Sequence, residues 1–141
     1  MAANGIHHVS ITVNDFARSR EFYTKLFAAL GAAPIFEATG APHKHPEGRM
    51  VLFAGSGIMF GVWEAFPEHR GSTFERYRVG LHHAAFAVSS REDVDAIHRA
   101  MVDQGATILD APCEYPYAPG YYAVFFTDPD GIKLEVVHTP G

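Results

Sequence analysis

Apolar and polar positions alternate in two short segments that lie about half the chain length apart. Residues 5–13 have the sequence GIHHVSITV, and residues 80–88 have the related sequence GLHHAAFAV. Such alternation, with many β-branched residues, is typical of a strand with one buried face. Each segment precedes a polar turn and a stretch with apolar residues at helical spacing, which predicts an internal repeat. The repeat places His8 and His83 at equivalent points of two related strands.

Both halves of the chain are predicted to have the order strand–helix–strand–strand–strand. This order predicts an α+β fold of two βαβββ modules, residues 5–64 and 80–139, with a linker at 65–79. Together they form a single domain of residues 1–141. Each module alone is too small to bury its sheet face, so two modules must pair, within one chain or by exchange with a second chain. The predicted helices are 16–30 and 91–104, the predicted strands are 6–13, 32–37, 50–54, 57–63, 81–88, 106–109, 121–126 and 132–138, and long loops are predicted at 38–49 and 110–120.

Composition and charge narrow the possible functions. The 141 residues are 48% hydrophobic and 19% charged, which permits a real core and makes disorder unexpected. The net charge of −5 argues against a nucleic-acid partner. No apolar run has the length of a membrane span, and the first residues do not resemble a signal peptide, so we expect a cytoplasmic protein. The single Cys113 cannot form an internal disulfide, which agrees with a reducing compartment.

A candidate metal site follows from the alternation. His8 and His83 avoid the face predicted to pack on the helices, and Glu135 in the last strand lies on the same side as they do. Two histidines and one carboxylate leave open coordination positions and suit Fe(II), Mn(II) or a similar divalent ion. Alternatively, these residues form no metal site: His8 and His83 are ordinary polar strand residues, and Glu135 is a solvated charge at a sheet edge. The preceding residues, His7 and His82, are predicted to face the helices and to be structural.

Three segments, IHHVSITVNDFARSREFY, LHHAAFAV and DPDGIKLEVVH, occur in this order along nearly the whole chain. With them the chain resembles the vicinal oxygen chelate superfamily, which includes glyoxalase I, extradiol dioxygenases, fosfomycin-resistance thiol transferases and bleomycin-resistance proteins. The resemblance implies paired modules in a half-open, mostly antiparallel barrel, and one divalent metal ion held by His8, His83 and Glu135. It also implies Lewis-acid chemistry of a lyase, isomerase or transferase on a small oxygenated substrate, and a homodimer.

Departures from the family pattern keep several functions open. Glyoxalase I has a second Glu in the last strand of its first module, where this chain has Gly61, or Phe60 after a one-residue shift. The nearby Glu64 is predicted to face the helix. The DPDG segment resembles the signature of extradiol enzymes. That signature also contains an upstream His and a Tyr, and in those regions this chain has Tyr117 and Phe125. The three-ligand set fits the thiol transferases, although no phosphonate-binding cluster of Lys and Arg is evident. The alternatives are a metal-free drug-binding protein of the bleomycin-resistance type and an extradiol-type dioxygenase.

Further candidates lie in two loops and one strand. Residues 114–122, EYPYAPGYY, contain four tyrosines that either wall a substrate pocket or pack the loop against the barrel rim. His43 and His45 lie in the first long loop, where they either cover the site or supply a base, or are simply solvated. The predicted substrate-pocket residues are Met59, Trp63, Tyr117, Tyr121 and Tyr122, and the candidate catalytic residues are Tyr122, His45 and Tyr115.

Overall fold

The computed structural model describes residues 2–140, which form two compact units that meet in sequence between Ser72 and Thr73. The same order of elements occurs in each unit, and each is described by itself. The division falls within the segment predicted to be a linker. The limits of the modules given above stay a prediction.

The first unit is a four-stranded sheet with one helix. Its elements are β1 (Val9–Val13), α1 (Phe16–Ala29), β2 (Ala33–Thr39), β3 (Arg49–Gly55) and β4 (Ile58–Glu64), followed by a short 3-10 turn at Pro67–His69. The strand order is β1-β4-β3-β2, in which β1 pairs with β4 in parallel and the other pairs are antiparallel. The parallel pairing makes Ser10 the direct neighbour of Gly61.

The second unit repeats this topology. Its elements are β5 (Ala84–Ala87), α2 (Arg91–Asp103), β6 (Thr107–Glu114), β7 (Tyr122–Thr127) and β8 (Lys133–His138). The strand order is β5-β8-β7-β6, with β5 parallel to β8 and the remaining pairs antiparallel. The parallel register places Ala85 beside Glu135 on the adjacent strand.

The ends of both helices follow from local sequence. Asp15 precedes α1, and its carboxylate accepts a hydrogen bond from the backbone N–H of Arg18 at 3.0 Å. Ser90 precedes α2 and accepts in the same way from the backbone N–H of Asp93. Two glycines with positive φ follow the helices, at 80° for Gly31 and 77° for Gly105. Because this left-handed conformation strains other residues, the two glycines end the helices near the predicted positions.

Each helix packs on one face of its own sheet. In the first unit Phe60 of β4 lies against Tyr23 and Phe27 of α1, with ring centroids 5.5 and 5.2 Å away. In the second unit Leu134 of β8 is fully buried, as are Val94 and Met101 of α2. These residues form the cores, which leaves the opposite face of each sheet available for polar side chains.

The main difference from the predicted elements concerns the region 110–120. Strand β6 continues to Glu114, whereas the sequence predicted a strand ending at residue 109 and a loop from there. Pro112 lies inside β6, where it is tolerated because β6 is an edge strand. Two register irregularities, between Ile108 and Asp110 and between Asp110 and Cys113, accommodate it.

The predicted fold class is confirmed. The chain is α+β, with two βαβββ units and a mixed, mostly antiparallel sheet in each. Each sheet is open, with two edge strands, and is not closed on itself. Among the residues that the structure describes, no helix is long and apolar enough to cross a membrane.

Candidate metal centre

Glu135 is a buried carboxylate in the middle of β8. Its residue is 2% exposed, and its register partners on the neighbouring strands are Ala85 and Phe125. The adjacent residues Leu134 and Val136 are fully buried, and alternation places Glu135 on the opposite face of the sheet. A carboxylate among apolar neighbours is costly unless other groups compensate its charge. The contacts of Glu135 therefore define the candidate site.

Two side chains contact this carboxylate, one at each oxygen. The hydroxyl of Tyr121 donates a hydrogen bond to Oε1 of Glu135, and Nε2 of His83 lies 3.2 Å from Oε2. Tyr121 directly precedes β7 and His83 directly precedes β5, and both strands are neighbours of β8. The second unit thus brings together two of the three predicted ligands and one of the predicted pocket tyrosines.

The hydroxyl of Tyr121 acts as a donor at neutral pH. Burial raises the pKa of Tyr121 well above the usual phenol value, and the hydrogen bond to Glu135 adds to this effect. Burial also raises the pKa of Tyr115, with a contribution from a hydrogen bond with Cys113. Phenols with raised pKa values are poor general bases near neutral pH. The role that remains for Tyr115 and Tyr121 is to donate hydrogen bonds.

The two histidine pairs share one local geometry. Nδ1 of His7 lies 2.9 Å from Nδ1 of His8, and Nδ1 of His82 lies 2.7 Å from Nδ1 of His83. In each pair one Nδ1 donates to the other, so neither pair uses the Nε2 atoms, and Nε2 of His83 is the atom that lies beside Glu135. The prediction that His7 and His82 face the helices is wrong. Both are exposed, because β1 and β5 begin only after the histidine pairs and strand alternation does not extend to them.

His8 belongs to the first unit, where it is exposed. Within residues 2–140 there is no group of three or more His, Cys, Asp or Glu side chains that meets the geometry of a metal site. Of the three predicted ligands, the structure brings His83 and Glu135 into contact. The assignment of His8 as the third ligand stays a prediction.

Three of the four loop tyrosines form an aromatic wall near Glu135. Tyr115 and Tyr117 stack with ring centroids 5.5 Å apart, and Tyr121 packs edge-on against Tyr117 at 5.3 Å. Tyr115 also packs edge-on against Phe125, the register partner of Glu135. The loop therefore presents aromatic surface on the face of the sheet that carries the carboxylate.

Tyr122 is directed to the other face of the same sheet. Its hydroxyl donates a hydrogen bond to Oδ1 of Asp95 in α2 at 2.9 Å, and the guanidinium of Arg91 lies over its ring. The hydrogen bond to Asp95 raises the pKa of Tyr122. Because successive strand residues alternate, Tyr122 does not share the face of Tyr121 and Glu135. The structure does not bring it to the candidate site, and its contacts with α2 are those of a structural residue.

Lys133 is a cation near Glu135 that the sequence interpretation did not select. It lies two positions before Glu135 and therefore on the same face of β8. Its Nζ lies 4.2 Å from the centroid of the Phe125 ring. The alternation in the DPDGIKLE segment contains the signal that would have identified it. A cation in this position provides attraction for an anionic oxygen of a bound molecule.

The equivalent face of the first unit has no carboxylate at the matching position. Gly61 stands there, and a Cβ on it would lie 2.5 Å from Oγ of Ser10 and 3.1 Å from Nε1 of Trp63. Ser10 and Trp63 therefore occupy the space that a side chain at this position would need. Met59 and Trp63 are both partly exposed on this face. Their role as pocket residues stays a prediction.

His43 and His45 lie beside a cleft of the first unit. His43 is buried, donates from Nε2 to the carbonyl of Glu64 at 2.7 Å, and accepts the backbone N–H of His45 at Nδ1. Its ring lies against the rings of Trp63 and Phe66. The interpretation of His43 as a solvated loop residue is therefore wrong, and a lid or base role for either histidine stays a prediction. The cleft has a volume of about 470 Å³, and its lining includes Thr12, His43, Lys44, Trp63, Phe66 and His69.

Glu64 is the buried carboxylate of the first unit, and it is engaged by two arginines. Arg49 donates to it from Nε at 3.0 Å and from Nη2 at 2.8 Å, and Arg70 lies 3.2 Å away. The hydrogen bonds from Arg49 lower the pKa of Glu64. The guanidinium of Arg49 also lies over the ring of Phe16 in α1. This cluster lies on the helix side, as the alternation predicts, and satisfies the carboxylate without a metal.

Comparison with known proteins identifies the family of this chain. The family model of the Glyoxalase/Bleomycin resistance protein/Dioxygenase superfamily matches residues 5–136. The chain therefore belongs to this superfamily, and the resemblance inferred from its motifs is confirmed. It is 31% identical over 135 residues to the uncharacterized protein YqjT of Bacillus subtilis, covering 94% of this chain and 97% of that protein. It is 25% identical over 138 residues to the metallothiol transferase FosB of Bacillus licheniformis, covering 96% of this chain and 75% of FosB.

Solved structures share the fold over almost the full chain. A glyoxylase/bleomycin resistance protein/dioxygenase domain from Frankia sp. EAN1pec matches with a TM-score of 0.82 and 24% identity, covering 99% of this chain and 94% of that one. The fosfomycin resistance protein FosX of Listeria monocytogenes, complexed with Mn(II) and sulfate, matches with a TM-score of 0.67 and 17% identity, covering 99% and 95%. At these identities the likeness concerns the fold alone.

Proposed function

We propose that the chain is a divalent-metal-dependent enzyme in which His8, His83 and Glu135 hold the metal ion. The observation that carries the proposal is the contact between Nε2 of His83 and Oε2 of Glu135 at 3.2 Å, next to the apolar cluster of Ala123, Phe125 and Val137. The internal repeat supports His8 as the third ligand, because its pair with His7 has the geometry of the pair His82–His83.

The residues present fit a divalent ion. Glu135 is almost fully buried, and a buried charge of this kind needs a cationic partner. Two imidazole nitrogens and one carboxylate form the set that leaves open positions for substrate on Mn(II), Fe(II) or a similar ion. When bound, the ion would supply Lewis-acid polarisation of two neighbouring substrate oxygens. His83 and Glu135 lie in one unit, whereas His8 would come from the first unit of the same chain or of a second copy.

The chain's own residues prepare this site in three ways. Tyr121 fixes one oxygen of Glu135 and leaves the other directed at His83, so the carboxylate is oriented before any ligand binds. Lys133 attracts an anionic oxygen to the same face. The wall of Tyr115 and Tyr117 provides an aromatic surface, and its hydroxyl groups are hydrogen-bond donors that orient a bound molecule.

The substrate class is a small oxygenated molecule, and the reaction class is an addition of the transferase type. The name of the relative FosB, a metallothiol transferase, supports this choice. Gly61 argues against glyoxalase I isomerisation, because the space for a second Glu is occupied by Ser10 and Trp63. An extradiol-type dioxygenase and a lyase share the ligand set and are weaker candidates.

A metal-free binding protein of the bleomycin-resistance type is the second candidate function. The aromatic wall favours it, since Tyr115, Tyr117 and Tyr121 present a stacking surface that needs no ion. In that case Tyr121 and His83 alone would compensate Glu135. Metal content distinguishes the two functions, because only the enzyme needs a stoichiometric ion.

The test is metal content by plasma mass spectrometry of tag-free protein after Mn(II) loading and gel filtration. We expect about one ion per chain for the wild type, and loss of the ion in His8→Ala and His83→Ala, since a three-ligand site does not survive removal of one ligand. His45→Ala, a histidine with no assigned ligand role, is the matched control and keeps the ion. Absence of metal from the wild type, or retention in both ligand variants, overturns the proposal and favours the binding protein.

A mixture of two variants, each lacking a different proposed metal ligand, tests whether one chain or two chains form the site. In a homodimer that exchanges modules, His8→Ala and Glu135→Ala chains mixed after mild unfolding regain a fraction of intact sites. In a chain that completes its own site, the mixture regains none. Either result leaves the ligand set as proposed and decides which copy provides His8.

A further inference from the structure

The first unit contains a cleft whose lining includes none of the three proposed metal ligands. It lies between β1, β4 and the loops that follow β2 and β4, and its volume is about 470 Å³. This volume falls in the range of roughly 300–1,000 Å³ that is usual for small-molecule sites. All of its lining residues belong to the first unit.

Three rings form the apolar part of the cleft. The ring of His43 lies 5.7 Å from the ring of Trp63 and 5.2 Å from that of Phe66, measured between centroids. Trp63 and Phe66 are partly exposed, whereas His43 is buried behind them. Flat aromatic surfaces of this kind pack well against a planar ligand ring.

The ring of His43 is held in one orientation by two hydrogen bonds. It accepts the backbone N–H of His45 at Nδ1 and donates from Nε2 to the carbonyl of Glu64, so Nε2 carries the proton. A Cβ on Gly48 would lie 2.3 Å from Nδ1 of His43, which shows how closely the loop backbone approaches the ring. The aromatic lining is therefore preorganised and does not need to be ordered by a ligand.

The charge around the cleft favours an anion. Its lining contains one carboxylate, Glu64, which is already paired with Arg49 and Arg70. Lys44 is exposed at the cleft and forms no ion pair within residues 2–140. His69 is exposed at the same cleft and adds a second donor. An entering anionic group thus meets an ammonium group and no unpaired carboxylate.

We propose that this cleft binds a flat aromatic molecule that carries a carboxylate or another anionic group. The ring packs on Trp63 and Phe66, and the anionic group lies beside Lys44 and His69. Binding is independent of metal, because no proposed metal ligand lines the cleft.

The chain itself provides a reporter for this site. Trp63 is the only tryptophan in the sequence, so a ¹⁵N-labelled sample gives a single indole N–H signal, and that signal belongs to the cleft. The probe is naphthalene-2-carboxylate, titrated into the full-length chain after treatment with a chelator. Naphthalene-2-carboxamide serves as the neutral isostere, and cyclohexanecarboxylate as the non-aromatic anion.

We expect the indole signal to shift and saturate with the naphthoate, with weaker binding of both comparison compounds. Lys44→Gln should weaken naphthoate binding by about threefold, the effect of one exposed ion pair, and leave the carboxamide unchanged. Glu47→Gln, which changes a nearby exposed charge outside the cleft, is the control for general electrostatics. The proposal is overturned if the indole signal does not move, or if Lys44→Gln and Glu47→Gln act equally on acid and amide.

A final arm separates this proposal from the metal site. Naphthoate should bind the Glu135→Gln variant as tightly as the wild type, whatever metal that variant holds. A loss of naphthoate binding in Glu135→Gln contradicts an independent cleft, whereas failure of the wild type to bind metal does not affect it.

Discussion

The two units have the same topology but different chemistry on the sheet faces opposite their helices. In the second unit β8 carries Glu135, which is contacted by Tyr121 and His83. In the first unit the matching position of β4 is Gly61, closely covered by Ser10 and Trp63. One repeat thus offers a buried carboxylate with donors around it, and the other offers an aromatic cleft.

The difference shows which sheet face of a repeated unit is constrained by the core and which face can vary. The helix-packed faces must stay apolar in both units, because they form the cores. The opposite faces carry no such constraint, so a single position can hold Glu in one repeat and Gly in the other. The comparison therefore separates residues that stabilise the fold from residues that serve the site.

The largest expected effect on stability concerns the apolar core between helix and sheet, which both units have. Phe60→Ala in the first unit and Leu134→Ala in the second should each lower the free energy of unfolding by about 3–4 kcal/mol, because both remove a fully packed side chain under a helix. Urea denaturation followed by circular dichroism measures the change. A loss below about 1 kcal/mol in either variant would show that its helix-packed face is not a core.

The next effect concerns the buried carboxylate of the first unit. Glu64→Gln should lower the free energy of unfolding by about 2 kcal/mol at pH 7, because it removes charge-assisted hydrogen bonds from Arg49. The hydrogen bonds from Arg49 hold the pKa of Glu64 below the usual glutamate value. Its contribution to stability is therefore full above that usual value and is lost as pH falls through the lower folded-state pKa. The difference between wild type and variant should therefore shrink at acidic pH. A difference that is constant from pH 7 down to strongly acidic conditions contradicts the ion pair.

A smaller effect tests why the first unit has Gly61, and not a Glu, at the position that matches Glu135. Gly61→Glu should cost about 1–2 kcal/mol and should not increase metal affinity, since its Cβ would meet Ser10 and Trp63. Ser10→Gly in the same chain should recover part of the stability, because it removes the nearest atom. Thermal unfolding and Mn(II) titration measure the two properties. A stable Gly61→Glu variant with tighter metal binding would show that the two faces are interchangeable.

The smallest effect concerns the orientation of Glu135. Tyr121→Phe removes the hydrogen bond to Oε1 and should weaken Mn(II) binding by about tenfold, the lower end of the range for groups that orient ligands. Tyr122→Phe is the matched control, because its hydroxyl donates to Asp95 on the other face and should not affect metal affinity. Equal Mn(II) affinities in the two variants would contradict the role of Tyr121.

Much of the fold followed from the sequence because its signals are local. Alternation predicted the strands, and Asp15 and Gly31 marked the ends of α1 close to their observed positions. The length of β6 was missed because Pro112 suggests a loop, and only the pairing shows that an edge strand with register irregularities accepts it.

The site was predictable only in part. The repeat and strand parity selected His83 and Glu135, which the structure brings into contact. Strand alternation separates Tyr121 from Tyr122 and places Lys133 on the face of Glu135, but the sequence interpretation did not apply it to these residues. The buried position of His43 depends on a long-range hydrogen bond to β4, which no sequence pattern contains.

The most direct test compares Glu135 of the second unit with Glu64, the buried carboxylate of the first unit. Mn(II) binding is measured by isothermal titration calorimetry for the wild type, Glu135→Gln and Glu64→Gln. We expect about one ion per chain in the wild type and in Glu64→Gln, and a loss greater than the roughly 100-fold upper end for orienting groups in Glu135→Gln. Unchanged binding in Glu135→Gln, or its loss in Glu64→Gln alone, would contradict the assignment of the metal to the second unit's carboxylate.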